Sequence, residues 1–304
     1  LNGFDACGKN VILELIDQKA KNSQKEFNIF TQYIFNDQIK NKYENLNLNF
    51  SSDLQHKINF SYYDVINKLK ATINFKNFLC SFNGSPHVSR QFLTSALHKF
   101  NWFDPHYCSK NFITSRDTVD GNIQQFCDKK IEPFYRKFII DGSPAAEDFY
   151  NNSHGFNYVR CDHVNNIKNL ESRLTESFVH VVSETLATSY CPFVTEKFLY
   201  SIVTRGLFVA YGQPNWHDHL EKYYGFKKYE KIFDYKFDNT QNPVVRLVEL
   251  LTMLAKFEKL SVSDWHDLYL LELDTVNYNY DHYFSGKFLA KLNKYASNIY
   301  IQVN

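Results

Sequence analysis

Thr195-Glu196-Lys197 places a hydroxyl, a carboxylate and an ammonium in three consecutive positions. Thr195 has the side chain of a helix cap, and the spacing that follows predicts a helix over Glu196–Arg205 with Gly206 as its left-handed C′ residue. Lys197 then falls in the first helical turn, where a cation opposes the helix dipole. That placement makes sense if an anion binds beside it. The backbone N–H groups of such a turn can face phosphate oxygens, and Glu196 suits paired hydroxyls such as those of a ribose. The competing reading is a capped surface helix whose charges are solvated.

A second segment has related chemistry. Asn83-Gly84-Ser85-Pro86-His87-Val88-Ser89-Arg90 follows an apolar run and precedes a helical one. A strand, a Gly-Ser-Pro loop and then a helix is a phosphate-friendly order. The planar fork of Arg90 can bridge two phosphate oxygens, with Asn83 and Ser85 as neighbouring polar contacts. The competing reading is an ordinary turn with Arg90 in a surface ion pair.

Three other clusters carry less. Gly3-Phe4-Asp5-Ala6-Cys7-Gly8-Lys9-Asn10 nearly matches a phosphate-binding P-loop. Asn10 replaces the hydroxyl residue, no strand precedes it, and the run after it reads as a strand where a P-loop needs a helix. His217-Asp218-His219 could ligate a metal, but positions two apart on a helix point to different faces, so an exposed polar helix is expected. Cys161-Asp162-His163 has the residue types of a nucleophile cluster, but adjacent residues rarely form one. The six cysteines include no C-x-x-C pair and fit reduced, mostly buried thiols. No Asp-x-Asp pair occurs. The nearest is Glu272-Leu273-Asp274, in a stretch that reads as peripheral.

The elements that must position these residues are unevenly legible. Val11–Ile16 reads as a strand, followed by strand candidates Asn28–Phe35 and Leu46–Phe50 with a polar, helix-compatible stretch between them. Tyr62–Ala71 reads as a helix. Asn77–Phe82 is an aromatic strand, and Phe92, Leu93, Ala96, Leu97 and Phe100 give Arg90–Phe100 a helical period. Asp141-Gly142-Ser143-Pro144 marks a turn within the loops and short elements of residues 101–165. From Ser177 onward the order is strand Phe178–Val182, the helix after Thr195, strand Leu207–Tyr211 ending at Gly212, helix Asn215–Tyr224 closed by Gly225, and helix Pro243–Phe257. Alternating strands and helices imply a parallel sheet with helices on its faces. Ligands of such sheets bind beyond the strand C-termini, where both phosphate-friendly segments fall.

The chain has 304 residues, enough for about two domains. Its 44% hydrophobic and 22% charged content is that of a globular protein rather than a disordered one. A net charge of +1 without like-charge blocks gives no reason to expect a polyanionic partner. No apolar run approaches the roughly 18 residues that span a bilayer, and Leu1–Asn10 lacks the pattern of a signal peptide. A cytoplasmic protein without a stable membrane span is expected. Sequons beginning at Asn49, Asn59 and Asn151 are weak signals in an Asn-rich chain.

Leu79–Phe112 resembles the Ser-Asn-Cys…Arg segment that opens the donor domain of α1,3-fucosyltransferases. Ser177–Gly212, with Ser183-Glu184-Thr185 and Phe193-Val194-Thr195-Glu196-Lys197, resembles their F-E-N-S…D-Y-V-T-E-K motif. It is closer still to glycosyltransferase-like proteins of phages and large viruses, whose later motifs are similar to Leu220–Tyr229 and Phe233–Asp238. Together the resemblance covers residues 78–112 and 177–260. It implies a GT-B fold of two Rossmann-type lobes, with a small N-terminal acceptor-side lobe (1–72), a donor-binding domain (73–260) and a C-terminal helical tail (261–304). It also implies an inverting, metal-independent glycosyltransferase that uses a GDP- or UDP-sugar as substrate, with no other cofactor. The acceptor would be a glycan or another hydroxyl compound. A DNA-base glycosyltransferase acting on modified DNA and a non-catalytic nucleotide-sugar binder are the alternatives. By motif position Arg90 and Lys197 would hold the diphosphate and Glu196 the ribose, and Glu184 would face the sugar or order the pocket. Pro192-Phe193 and Thr185 depart from the fucosyltransferase pattern, which leaves base and sugar open. No catalytic carboxylate aligns. Asp17, at the end of the first expected strand, is the candidate by position.

Overall fold

A computed structural model of the chain describes residues 11–24, 27–31, 37–50, 72–84, 87–111, 144–156, 163–184, 187 and 194–295. The readings for Gly3–Asn10, Tyr62–Ala71, Ser85, Asp141–Ser143 and Cys161-Asp162 lie outside these residues.

The first finding is a correction. Val11–Ser23 is a helix (α1), not a strand. Leu13, Ile16 and Ala20 recur at helical spacing and turn inward, while Leu15 between them is 64% exposed. Helix α1 packs with Tyr43 and with Leu46 of β2 in a small core. Strands β1 (Phe27–Thr31) and β2 (Leu46–Phe50) pair in parallel, with helix α2 (Asp37–Lys42) between them in the chain. Because a helix follows Asn10, one of the three grounds against a P-loop falls. The replacement of its hydroxyl residue by Asn10 stands.

Among the described residues the larger sheet has five strands, β3 (Asn77–Asn83), β4 (Cys108–Lys110), β5 (His154–Gly155), β6 (Ser177–Ser183) and β7 (Leu207–Tyr211), in the order β5-β4-β3-β6-β7. All neighbours pair in parallel except β4 and β5. Every residue of β6 and of β7, the edge strand, is buried, as expected of parallel strands covered on both faces. The fold is mixed α/β.

Helix α3 (Val88–Lys99) connects β3 to β4, and helices α4 (Pro144–Asn151) and α5 (His163–Glu176) lie between β4 and β6 in the chain. Between β6 and β7 the expected single helix is divided. Glu196–Phe198 is a 3₁₀ turn and Leu199–Val203 a short helix (α6). Its exit also differs from expectation. Arg205, not Gly206, adopts the left-handed conformation, with φ 56°. Its guanidinium lies 4.1 Å from the centre of the Tyr280 ring, which offsets the strain. Gly206 instead donates its amide to Ser201 O at 2.8 Å, as the residue one step further on does in a Schellman closure.

Helix α7 (Trp216–His219) continues as a π-helical turn over Leu220–Tyr224. His217 and His219 are buried at 2% and 8% exposure, so the exposed polar helix expected here is also corrected. Pro243–Glu258 forms α8, capped by Asn242 with Pro243 in its first turn. Helices α9 (Val262–Leu271), α10 (Leu273–Phe284) and α11 (Lys287–Asn293) follow. Their Trp265, Tyr269, Val276, Tyr283, Phe288 and Leu292 join the same core as the sheet. Glu272, expected to be peripheral, is 1% exposed at the α9–α10 junction, where Oε1 accepts the Lys231 amide at 2.6 Å. Among the described residues no helix is long and apolar enough to cross a membrane.

Candidate functional site

The chain leaves β3 toward β4 on one side of the sheet and leaves β6 toward β7 on the other. Adjacent parallel strands whose connections diverge in this way open a crevice beyond their C-termini, the usual ligand position in such sheets. The segments after β3 and β6 meet there. Ser89 Oγ donates to Glu184 O at 3.2 Å, joining them directly. The Glu184 amide donates to Tyr211 O at 3.0 Å and extends the junction to β7.

Glu184 is fully buried. Both carboxylate oxygens are used on Thr195: Oε1 accepts the Thr195 amide at 3.1 Å and Oε2 the Thr195 hydroxyl at 2.6 Å. Lys197 Nζ in turn donates to Thr195 Oγ1 at 3.0 Å. The Thr195 amide therefore serves Glu184 and is not presented to a phosphate. The solvated surface helix weighed above is not what forms, since Thr195 is buried and Lys197 half-buried. Glu196 lies in the 3₁₀ turn.

Arg90 lies in the first turn of α3 with only 5% of its surface exposed, which excludes the surface ion pair. Asn83 ends β3. Its Nδ2 donates to Ser81 Oγ at 3.1 Å, and Ser81 Oγ donates to Val181 O at 2.8 Å.

The strand register produces a polar row that the sequence alone did not suggest. Asn83 pairs with Lys110 of β4, and Ser183 of β6 pairs with Tyr211 of β7. The offset that pairs Leu79 with Val179 and Cys80 with His180 carries Asn83 alongside Ser183. Paired residues of parallel strands share a face, so Lys110, Asn83, Ser183 and Tyr211 form one row at the strand ends. The outer members are anchored. Tyr211 Oη donates to Pro243 O at 3.0 Å. Lys110 Nζ donates to the carbonyls of Phe149, Tyr150 and Asn152 at the end of α4, and burial pushes its ammonium down to about 7. The inner members, at the crevice, each leave an oxygen unmatched. Asn83 Oδ1 and Ser183 Oγ are buried and have no hydrogen-bond partner among the described residues. Unsatisfied buried polar atoms are uncommon and costly, and a cleft that receives a polar ligand is one place where they persist.

The floor beyond β7 is tightly built. A Cβ on Gly212 would stand 2.8 Å from Trp216 Cδ1 and 3.4 Å from Glu184 Cγ. Next to it Asp238 accepts the His217 amide at 2.8 Å and faces His217 Nδ1 at 2.9 Å. The Ala210 amide donates to His217 Nε2 at 3.0 Å, which places the ring proton on Nδ1. This pair fixes the turn after β7 to the Phe233–Asp238 segment.

Asp17 is elsewhere. It projects from α1 and accepts from Asn45 N at 3.2 Å and Asn45 Nδ2 at 3.3 Å. No strand forms at Val11–Ile16, so Asp17 does not stand at a strand end.

The residue most clearly missed from the sequence is Arg246. In PVVRLVELLTMLAKFE it shares the stripe of Leu250, Met253, Leu254 and Phe257. A charge on a buried stripe was the available signal. Comparison of the chain with protein-family models, with curated proteins and with solved structures finds no match.

Proposed function

We propose that the chain binds a nucleotide-sugar at the crevice between β3 and β6 and transfers the sugar to a glycan or other hydroxyl acceptor. The observation that carries this reading is the junction of the two phosphate-friendly segments at the point where the sheet connections diverge, held by Ser89, Glu184 and Thr195. The unsatisfied Asn83 Oδ1 and Ser183 Oγ at the same strand ends support it, because a sugar or base offers matching donors and acceptors.

In this reading Lys197 and Arg90 face the diphosphate as charge builds on it during departure. Glu196 meets the ribose. Glu184 acts as a positioning residue, since its carboxylate is used in fixing Thr195 beside Lys197. In inverting transfer the acceptor oxygen bonds to the anomeric carbon as the bond to the diphosphate breaks, and the acceptor proton passes to a base. Neither Glu184 nor Asp17 has the geometry of that base. The two-lobe GT-B arrangement, with residues 1–72 on the acceptor side, belongs to the same proposal.

A thermal-shift series with GDP, UDP, CDP and their sugars tests the reading. A ligand at a hundredfold excess over Kd adds about 2.7 kcal/mol, a shift of several degrees. Lys197→Ala should abolish the shift. If no nucleotide raises the melting temperature of the unmodified chain, the proposal fails. Hydrolysis of the responding donor then separates an enzyme from a binder.

A further inference from the structure

We propose that Arg246 is a second positioning residue of the crevice, a buried guanidinium that pins Ala187 to the turn after β7 and the start of α8 beside Glu184, the residue that holds Thr195. This rests on the reading above for its functional consequence, but its geometry stands independently. Arg246 is 1% exposed on the inner stripe of α8. Nε donates to Gly212 O at 3.1 Å. Nη1 donates to the carbonyls of Thr240 and Gln241, the latter at 3.2 Å. Nη2 donates to Ala187 O.

Four main-chain carbonyls from three separate segments thus converge on one planar group. Two of these contacts flank Glu184. Ala187 lies three residues after it, and Gly212 packs against its side chain. A charge buried in this way carries a large desolvation cost, and an apolar side chain of similar volume often satisfies a core as well or better. Core stability is therefore a poor reason for an arginine here. A fork that can hold three backbone segments at fixed separation is a better one. The cation also sits beside the crevice, where its field favours an anionic ligand.

The test uses the full chain with Arg246→Ala and Arg246→Lys, and Lys197→Ala as comparator. Two quantities are measured: hydrogen exchange of peptides spanning residues 183–197, and the Kd for GDP and for UDP by titration. Arg246→Ala should retain its far-UV circular dichroism, exchange faster over residues 183–197, and bind the responding nucleotide about tenfold more weakly, a loss of about 1.4 kcal/mol. Millimolar guanidinium should refill the vacated site and restore both quantities, whereas potassium chloride at the same ionic strength should restore neither. Guanidinium should not rescue Lys197→Ala.

Unchanged exchange over residues 183–197 in Arg246→Ala, or faster exchange that guanidinium does not reverse, overturns the proposal. If Arg246→Ala does not fold, Arg246→Lys decides. A lysine keeps the charge but carries all its donors on one nitrogen, which cannot reach carbonyls that Nε, Nη1 and Nη2 hold apart, so its exchange over 183–197 should also rise, and unchanged exchange overturns the proposal. If the unmodified chain binds neither nucleotide, the functional reading falls and the exchange measurement alone settles the role of Arg246.

Discussion

His180 and His219 are bases held neutral by burial, which pushes each down to about 3. His180 lies in β6 with Nδ1 2.7 Å from Ser201 Oγ, and His219 packs against Tyr223. In the unfolded chain both take up a proton near 6.5. Between pH 6.5 and about 3 the unfolded state therefore binds more protons, and stability falls as pH falls through that window. Each histidine should contribute a slope on the order of 1.4 kcal/mol per pH unit. Urea midpoints measured from pH 7 to 4 should decline accordingly, and His219→Phe should reduce the slope by about 1.4 kcal/mol per pH unit. An unchanged slope in that variant would show that His219 protonates without unfolding. Asp17 gives the contrasting case. Its bonds to Asn45 tie α1 to the turn before β2, so Asp17→Ala should cost about 1 kcal/mol in denaturant titration and leave nucleotide binding intact. Lost binding at full stability would return Asp17 to the site.

At the scale of elements, the π-helical turn after α7 depends on one glycine. Gly225 has φ 88°, and its amide donates to Leu220 O at 3.0 Å and Glu221 O at 3.1 Å. A Cβ there would stand 2.6 Å from His282 Nε2, which itself lies 2.8 Å from Tyr224 O. Gly225→Ala combines a left-handed backbone with a clash inside a packed core and should cost about 2–3 kcal/mol. A chemical denaturation series reads this directly, and a cost below about half a kcal/mol would mean that His282 moves aside freely. The same element shows what a sequence can carry. Gly225 as a terminator, β2, β7 and the Pro243 start of α8 were legible because each is specified by local chemistry: a left-handed residue, an apolar strand pattern, a first-turn proline. Helix α1 was misread because Val-Ile-Leu-Glu-Leu-Ile is short, apolar and β-branched, and such a run does not separate strand from helix by itself. The candidate site was legible as two segments, since loops after parallel strands are recognisable by order alone. What joins them was not. Ser89 reaches Glu184 across 95 residues and Arg246 reaches Ala187 across 59, and no local pattern encodes such distances. The polar row needed the strand register, which the sequence leaves unspecified when both faces are buried.

At the scale of the molecule, the helices after residue 260 close the core of the large sheet. Trp265 stacks on Phe178 of β6 with ring centres 5.8 Å apart and lies 6.1 Å from Phe78 of β3. Trp265 Nε1 donates to Phe257 O at 2.8 Å and anchors α9 on the end of α8. Tyr269 packs edge-on against Phe75 and donates its hydroxyl to Arg205 O at 3.1 Å, just before β7. Tyr283 and Phe288 stack on each other, and Phe288 meets Phe226 beyond the π-helical turn. Each large aromatic removed from such a core forfeits about 1.5–3 kcal/mol of burial, while a domain's whole net stability is about 5–15 kcal/mol. A chain ending at residue 260 would lose at least four of these side chains at once and expose the faces of Phe78 and Phe178 that they cover. It should therefore lack a cooperative urea transition and bind a hydrophobic dye at neutral pH. If that shorter chain instead unfolds cooperatively at the midpoint of the full one, the strand-end crevice is supported by residues up to 260 and the closing helices contribute nothing to holding it.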